Sequence, residues 1–487
     1  MSGPSLAAAG ARGGLVTVAS QLVSLVTRVV GLVFLARLLS PEVFGLAAII
    51  VSISTFASAV IFLGLPMATV QATVLSQRAK SSLFLVNSGL GVLLASILFF
   101  SADAIADYYG QPALSFMMRW LAVVPLLSGV QSQFRLQMIR DLKFTPLAAT
   151  EVISQFLSTG TAIVMALGGA SYAAIVAQGI VQSGSQLLMV VVISRWWPTK
   201  PGSWSPEVRG LLAIGLRIFG TNLLRDGSRS VVVPIMAIFA SPAAIGNYDR
   251  AQQLVVVPIN LTVDQLQRVA IPILTQFRDE PARMLAYMRR AQLAAAYVTA
   301  TAFLVGAALA EPLLATLLGQ DWKLAGTVLQ ALAIGAVFRT LGQSMQWIFI
   351  SSGMTKKALT FSLWSQPLIV IITLLGLPWG VLGVAVANAV AWSLYWPVST
   401  YTASKAAGFD ATPLILDALR AFAFFGIPVG ASALVARFLG LNDLLTVLAG
   451  IGFAVIAASV LALALPAVRR DILALVEILK LAGRRSR

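Results

Sequence analysis

The chain has 487 residues, 58% of them hydrophobic and 11% charged, with a mean hydropathy of +0.89. A soluble protein carries about one quarter charged residues, so this composition excludes an ordinary soluble fold and indicates a polytopic membrane protein. The 34 lysines and arginines against 18 acids give a formal charge of +16. They do not form a soluble basic face, which excludes nucleic acid as the partner. Cysteine and histidine are both absent, so disulfides, thiolate or imidazole metal sites and histidine proton relays are excluded, and neither metal nor cofactor is expected.

Apolar runs long enough to cross a bilayer are predicted in chain order at Gly14–Leu39, Phe44–Leu65, Leu83–Phe100, Ser115–Gln133, Pro146–Leu167 and Tyr172–Ser194. A connector rich in Pro, Gly, Ser and Trp, Trp196 to Pro206, separates these six from six more: Gly210–Phe239, Gln252–Leu274, Leu293–Leu318, Gly326–Ile350, Leu359–Leu377 and Val381–Ser399. A further pair, Leu414–Leu439 and Leu444–Leu465, precedes a basic amphipathic tail from Val468 to Arg487. The predicted fold class is therefore all-α with 14 transmembrane helices. It divides into an N-terminal six-helix lobe (1–200), a C-terminal six-helix lobe (201–405), and an extra helix pair with the tail (406–487).

Loop charge gives the orientation, because lysine and arginine near span ends stay on the cytoplasmic side. With the N-terminus inside, 22 loop cations fall on the cytoplasmic side, while Arg37, Lys323 and Arg437 face out among six acids. Both termini are expected in the cytoplasm. The apolar run behind Arg12 is too long for a signal peptide. The outer segments Ser101–Leu114 and Gly319–Ala325 read as short loops.

The first span ends in Ser40-Pro41 to Gly45, and the same turn recurs as Ser241-Pro242 to Gly246, at an offset of 201 that also carries Arg28 onto Arg229. Gly110-Gln111 before the fourth span matches Gly319-Gln320 before the tenth. Each half has an even number of spans, so the two copies enter the membrane in one direction, related by a pseudo-twofold along its normal. Small residues such as Gly89, Gly91, Gly168, Gly169, Gly380 and Gly383 are expected to bring helices close.

Charge inside the spans marks the candidate site. Arg119, Arg250 and Arg420 lie near span ends and read as snorkelling anchors. Arg28 and Arg225 are about a dozen residues from either end of their spans, roughly 18 Å, and need a cavity or a partner. Arg217, Arg225 and Arg229 share a broad face with Asn222, and Arg339 lies in the tenth span. The competing account is that such arginines are paired and merely pin helices: Asp226 adjoins Arg225, and Asp264 with Arg268 forms an i, i+4 pair suited to coupling or gating. Cations outnumber nearby acids, however, which points to an anionic ligand held by Arg28, Arg225, Arg229, Asn222, Arg217 and Arg339. A guanidinium stays charged and meets phosphate with a planar fork.

Fourteen spans, the basic tail, the opening ARLLSPEVFGLAAI and the later GQDWKLAGTVLQALAI and LGGASYAAIVAQ resemble the Wzx-like O-antigen and exopolysaccharide flippase branch of the multidrug/oligosaccharidyl-lipid/polysaccharide exporter superfamily. The resemblance covers about residues 10 to 465. It implies a flippase, not an enzyme, that moves undecaprenyl-pyrophosphate-linked oligosaccharide repeat units by alternating access, with the pyrophosphate met by cavity arginines. It further implies partnership with a polysaccharide polymerase or export machinery, and it leaves ion-gradient coupling open. Lipid II flippases of the same superfamily also carry an arginine in the first span, and the drug-exporting branch places acids in its first lobe, where only Glu151 stands here. A membrane glycosyltransferase or O-antigen polymerase would need a large outer catalytic loop, and none is predicted.

Overall fold

The computed structural model describes residues 23–62, 76–199, 230–466 and 468–471, and every regular element among them is a helix. In the first half these are α1 (23–38), α2 (Pro41–Phe62), α3 (Gln77–Phe100), α4 (Ala102–Tyr109), α5 (Pro112–Leu121), α6 (Val123–Arg140), α7 (Phe144–Leu167) and α8 (Ser171–Ser194). There follow α9 (Val232–Phe239), α10 (Pro242–Gln276), α11 (Pro281–Ala308), α12 (Ala310–Leu317), α13 (Lys323–Ser344) and α14 (Gln346–Ser351). The chain closes with α15 (Thr355–Leu374), α16 (Gly380–Ala407), α17 (Thr412–Ala421), α18 (Ile427–Val435) and α19 (Asp443–Ala464). Among the described residues, nine stretches are long and apolar enough to cross a membrane, and the stretch Lys356–Ala407 holds two of the predicted spans. The chain is a multi-pass helical membrane protein.

Local chemistry sets the helix ends. Ser76 caps α3 by accepting from the Ala79 amide at 3.1 Å, and Asn442 caps α19 by accepting from Leu445 at 2.9 Å. Proline opens α2, α5, α10 and α11, where its missing N–H is no loss.

Three predicted stretches are corrected. The outer loop Ser101–Leu114 is largely helical, because Ala102–Tyr109 forms α4. The predicted span Leu293–Leu318 starts earlier, at Pro281, and breaks at Leu309. Pro312 cannot donate to the Ala308 carbonyl and clashes with it, so the helix stops and restarts as α12. The span Leu414–Leu439 is interrupted by a π-helical turn at Phe422–Gly426, where Pro428 removes the bond to Phe424. Of the basic tail, residues 468–471 are described and helical, and the rest lies outside the described residues.

The contacts group the chain into two units, Met1–Gly246 and Asn247–Arg487. In the first, α6 packs against α3 and α8, α7 pairs with α8, and α9 lies on α2. Phe134, Met138, Leu147, Val190 and Trp196 form one buried cluster. The Trp196 indole donates to Gln77 Oε1 at 3.0 Å, and the Thr199 amide donates to Ser81 Oγ at 2.9 Å. The start of the connector is thereby tied to the start of α3. The two repeated turns meet inside this unit: a Cβ on Gly45 would collide with the Pro242 carbonyl, and one on Gly246 with the Pro41 carbonyl. Two backbones touch there because both positions are glycine.

In the second unit α13 packs on α16 and α11, α15 on α16, and α18 on α19. Phe361, Ile369, Ala391, Trp392 and Tyr395 form its aromatic cluster. The first turn of the tail is held by Asp471, which accepts from Tyr297 Oη at 2.9 Å and pairs with Arg420 at 2.7 Å. Of the small residues expected at crossings, Gly91 meets Gly129 and Gly383 meets Gly376, whereas Gly89 and Gly169 face open space.

Candidate functional site

Arg28 sits on α1, whose packing face is set by spacing: Thr27, Gly31 and Leu35 recur every four residues and are buried. Thr27 returns its hydroxyl to the Val23 carbonyl at 2.9 Å, so this face needs no outside partner. A Cβ on Gly31 would lie 2.5 Å from Thr159 Cγ2, which fixes the crossing of α1 on α7 at Gly31 and Thr159. Arg28 lies one turn from that crossing, beside the packed face, and is exposed; among the described residues it makes no ion pair. A permanently charged guanidinium at the membrane depth that the first predicted span gives it is expensive unless water or an anion meets it.

Arg339 is placed differently. It is 4% exposed on α13, and its guanidinium carbon lies 5.2 Å from the centre of the Trp392 ring of α16. It is enclosed by helix packing, so a ligand reaches it only if the helices around it move. Arg217, Asn222, Arg225, Asp226 and Arg229 lie outside the described residues. Asp264 and Arg268 fall on the backbone of α10, with side chains outside the description. Among the predicted site residues, the structure therefore gives a described side chain to Arg28, in the first unit, and Arg339, in the second.

The three arginines read as snorkelling anchors are ion-paired instead. Arg119 pairs with Asp103, Arg250 with Asp249 at 2.6 Å, and Arg420 with Asp471. Asp103 also accepts from Ser115 Oγ at 2.5 Å; that bond, with the Arg119 guanidinium beside it, holds its carboxyl below the usual aspartate value. Glu151, the one acid of the first lobe's spans, pairs with Arg135. A groove of about 600 Å³ runs between α3, α5 and α6, but its lining of Val92, Phe99, Phe100, Trp120 and Leu126 is apolar, and its cation is the neutralised Arg119. Among the described residues no cluster of three or more His, Cys, Asp or Glu could hold a metal.

Counting charges missed a polar face built mainly of amides and hydroxyls. On α7, Glu151, Ser154, Gln155, Ser158 and Thr159 recur at three- and four-residue intervals, opposite the exposed apolar side Ile153, Phe156, Leu157 and Val164. On α8, Gln178, Gln182, Ser185 and Gln186 do the same and are half-buried. Ser158 Oγ donates to Gln182 Oε1 at 2.6 Å, joining the two faces, and Gln155 Nε2 donates to Thr159 Oγ1 at 3.0 Å. The spacing Gln178, Gln182, Gln186 within a membrane span was the signal available in the sequence.

Known proteins agree with this architecture. The chain is 26% identical over 302 residues to the succinoglycan biosynthesis transport protein ExoT of Rhizobium meliloti, covering 62% of this chain and 60% of that one. It is 24% identical over 308 residues to the teichuronic acid biosynthesis protein TuaB of Bacillus subtilis, covering 62% of each. The chain thus spans about three fifths of the length of these relatives. With the lipopolysaccharide biosynthesis protein WzxC of Escherichia coli the identity is 20% over 73% of this chain and 71% of that one. Among solved structures, lipid II flippase MurJ in its inward closed conformation superimposes with a TM-score of 0.70 at 16% identity, over 92% of this chain and 99% of that one. An inward-facing multidrug resistance MATE family transporter of the MOP superfamily gives 0.60 at 15% identity, over 82% and 94%. These likenesses give the fold, which is the one shared by MurJ and MATE transporters. A family model described as "Polysaccharide biosynthesis protein" matches residues 34–327, and the chain belongs to that family.

Proposed function

We propose that this chain is a flippase that carries undecaprenyl-pyrophosphate-linked oligosaccharide repeat units, precursors of O-antigen, exopolysaccharide or capsule, across the bacterial inner membrane by alternating access. The observation that carries the reading is Arg28: a guanidinium exposed on α1, within the first predicted span, without an ion-pair partner among the described residues. A phosphate-bearing headgroup satisfies it with charge and a planar fork. Membership in a polysaccharide biosynthesis family and similarity to ExoT, TuaB and WzxC support the substrate class. In this reading Arg217, Asn222, Arg225 and Arg229 of the second copy join Arg28 around the pyrophosphate, and the lobes 1–200 and 201–405 rock about it with both termini in the cytoplasm. Asp226, Asp264 and Arg268 would serve coupling to an ion gradient, and a polymerase would receive the product.

Arg28→Ala is expected to abolish export of the polysaccharide while leaving the amount of membrane-inserted protein unchanged, and Arg28→Lys to restore it only in part, since lysine keeps the charge and loses the fork. Normal export by Arg28→Ala would remove the site. Loss of the protein from the membrane would make Arg28 a structural residue.

A further inference from the structure

We propose that the amide and hydroxyl face shared by α7 and α8 is the subsite for the sugar portion of the substrate, and that it takes a neutral saccharide through its hydroxyls. The inference rests on the reading of the chain as a carrier of lipid-linked oligosaccharide and names where the carbohydrate lies. Gln155 and Gln182 are each the twelfth residue of a 24-residue helix, so the face is centred at mid-membrane depth, where an amide turned to lipid carries a heavy desolvation penalty.

Helix packing alone does not account for these side chains. Polar side chains that fasten membrane helices spend their groups across the crossing, as the buried Ser158 does on Gln182. The four glutamines are half-buried instead, and among the described residues their hydrogen-bonding capacity is largely unspent. Gln155 uses its amide N–H on Thr159 and Gln182 its carbonyl on Ser158, leaving one carbonyl and one amino group; Gln178 and Gln186 make no hydrogen bond among the described residues. On the same face of α7 the fully buried Ser154 hydroxyl also has no hydrogen-bond partner among the described residues.

The chemistry of the face selects the ligand. Each amide offers two N–H donors beside a carbonyl acceptor, which matches the paired donor and acceptor character of neighbouring sugar hydroxyls. The face has no net charge, because Glu151 is neutralised by Arg135, so it suits neither an inorganic cation nor a phosphate. The anionic end of the substrate has its own group close by. α1 crosses α7 at Gly31 and Thr159; Arg28 is three residues before Gly31 and Gln155 four before Thr159. As the first and fifth predicted spans, α1 and α7 run in the same direction, which puts the guanidinium and the first amide at one level. A headgroup with phosphate at Arg28 therefore has its first sugars against Gln155, Gln182 and their neighbours.

The test compares two probes on the full-length protein in detergent: sugar-free undecaprenyl pyrophosphate, and the same lipid carrying a neutral oligosaccharide. The unmodified protein is expected to bind the glycosylated lipid about tenfold more tightly, the factor given by roughly one net hydrogen bond. The double variant Q178L/Q186L should lose that preference and keep its affinity for the sugar-free lipid, whereas Arg28→Ala lowers both. Q178A/Q186A, which removes the amides without adding apolar bulk, is measured alongside, so that a misfolded leucine pair does not end the test. Equal loss of both probes in the glutamine variants would make the amides structural and overturn the proposal, as would an unchanged preference for the glycosylated lipid. Equal binding of both probes by the unmodified protein would overturn the subsite alone. Binding of neither would overturn the carrier reading itself.

Discussion

The pairs α7–α8 and α13–α16 are both membrane-length crossings that hold polar side chains, and they treat them in opposite ways. In α13–α16, Gly335, Arg339 and Gly342 share one face, and a Cβ on Gly335 would lie 2.6 Å from Ala389 Cα. The backbones come so close that Arg339 is enclosed over Trp392. In α7–α8 the crossing is joined by Ser158 and Gln182, and the long amides hold a face half-open. Small residues seal a charge into packing, whereas glutamines spaced along a helix leave hydrogen-bonding groups within reach of a ligand. The difference lies in what flanks the polar residue.

The sealed crossing is the easier to break. Gly335→Leu forces side-chain atoms into the backbone of α16, and overpacking of this kind costs about 1–3 kcal/mol or more. The purified protein should unfold at clearly lower temperature than the unmodified chain, and an unchanged midpoint would show that α13 and α16 can separate cheaply. Next in size, Arg339→Met keeps the volume and removes the charge over Trp392, a loss of about 0.5–2 kcal/mol. A lowered midpoint with transport retained would mark Arg339 as packing; an unchanged midpoint with transport lost would return it to the substrate site.

The smallest effect belongs to the exposed cluster on α4 and α5. The Asp103 carboxyl lies below its ordinary value of 3.8 through the bond from Ser115 and the charge of Arg119. A depressed folded-state value adds stability that is fully present above 3.8 and is lost as pH falls through the lower folded value. The unmodified protein should therefore hold a small advantage over Asp103→Asn at neutral pH that fades in acid unfolding. An advantage independent of pH would show that the contact does not depend on the carboxylate.

Helix type and span order were legible because period and length are written in single residues: Tyr172–Ser194 in the sequence is α8, Ser171–Ser194, in the structure. The breaks at Leu309 and Phe422–Gly426 were written there too, in Pro312 and Pro428, but hydropathy averages over a proline. Arg28 stood out as a candidate because charge in a span is conspicuous. The pairing of Arg119 with Asp103 was not, since the partner lies sixteen residues away across a turn that only the helix α4 creates. The face on α7 and α8 was overlooked because glutamine carries no charge, although its four-residue spacing was plain.

Movement of the substrate itself tests the central claim most directly. Liposomes holding the purified chain, loaded on one side with labelled undecaprenyl-pyrophosphate-linked oligosaccharide, are expected to transfer the label to the opposite leaflet with its mass unchanged, and liposomes holding Arg28→Ala are expected to fail. Label that stays in its leaflet with the unmodified chain, or that gains or loses sugar in crossing, would contradict a flippase.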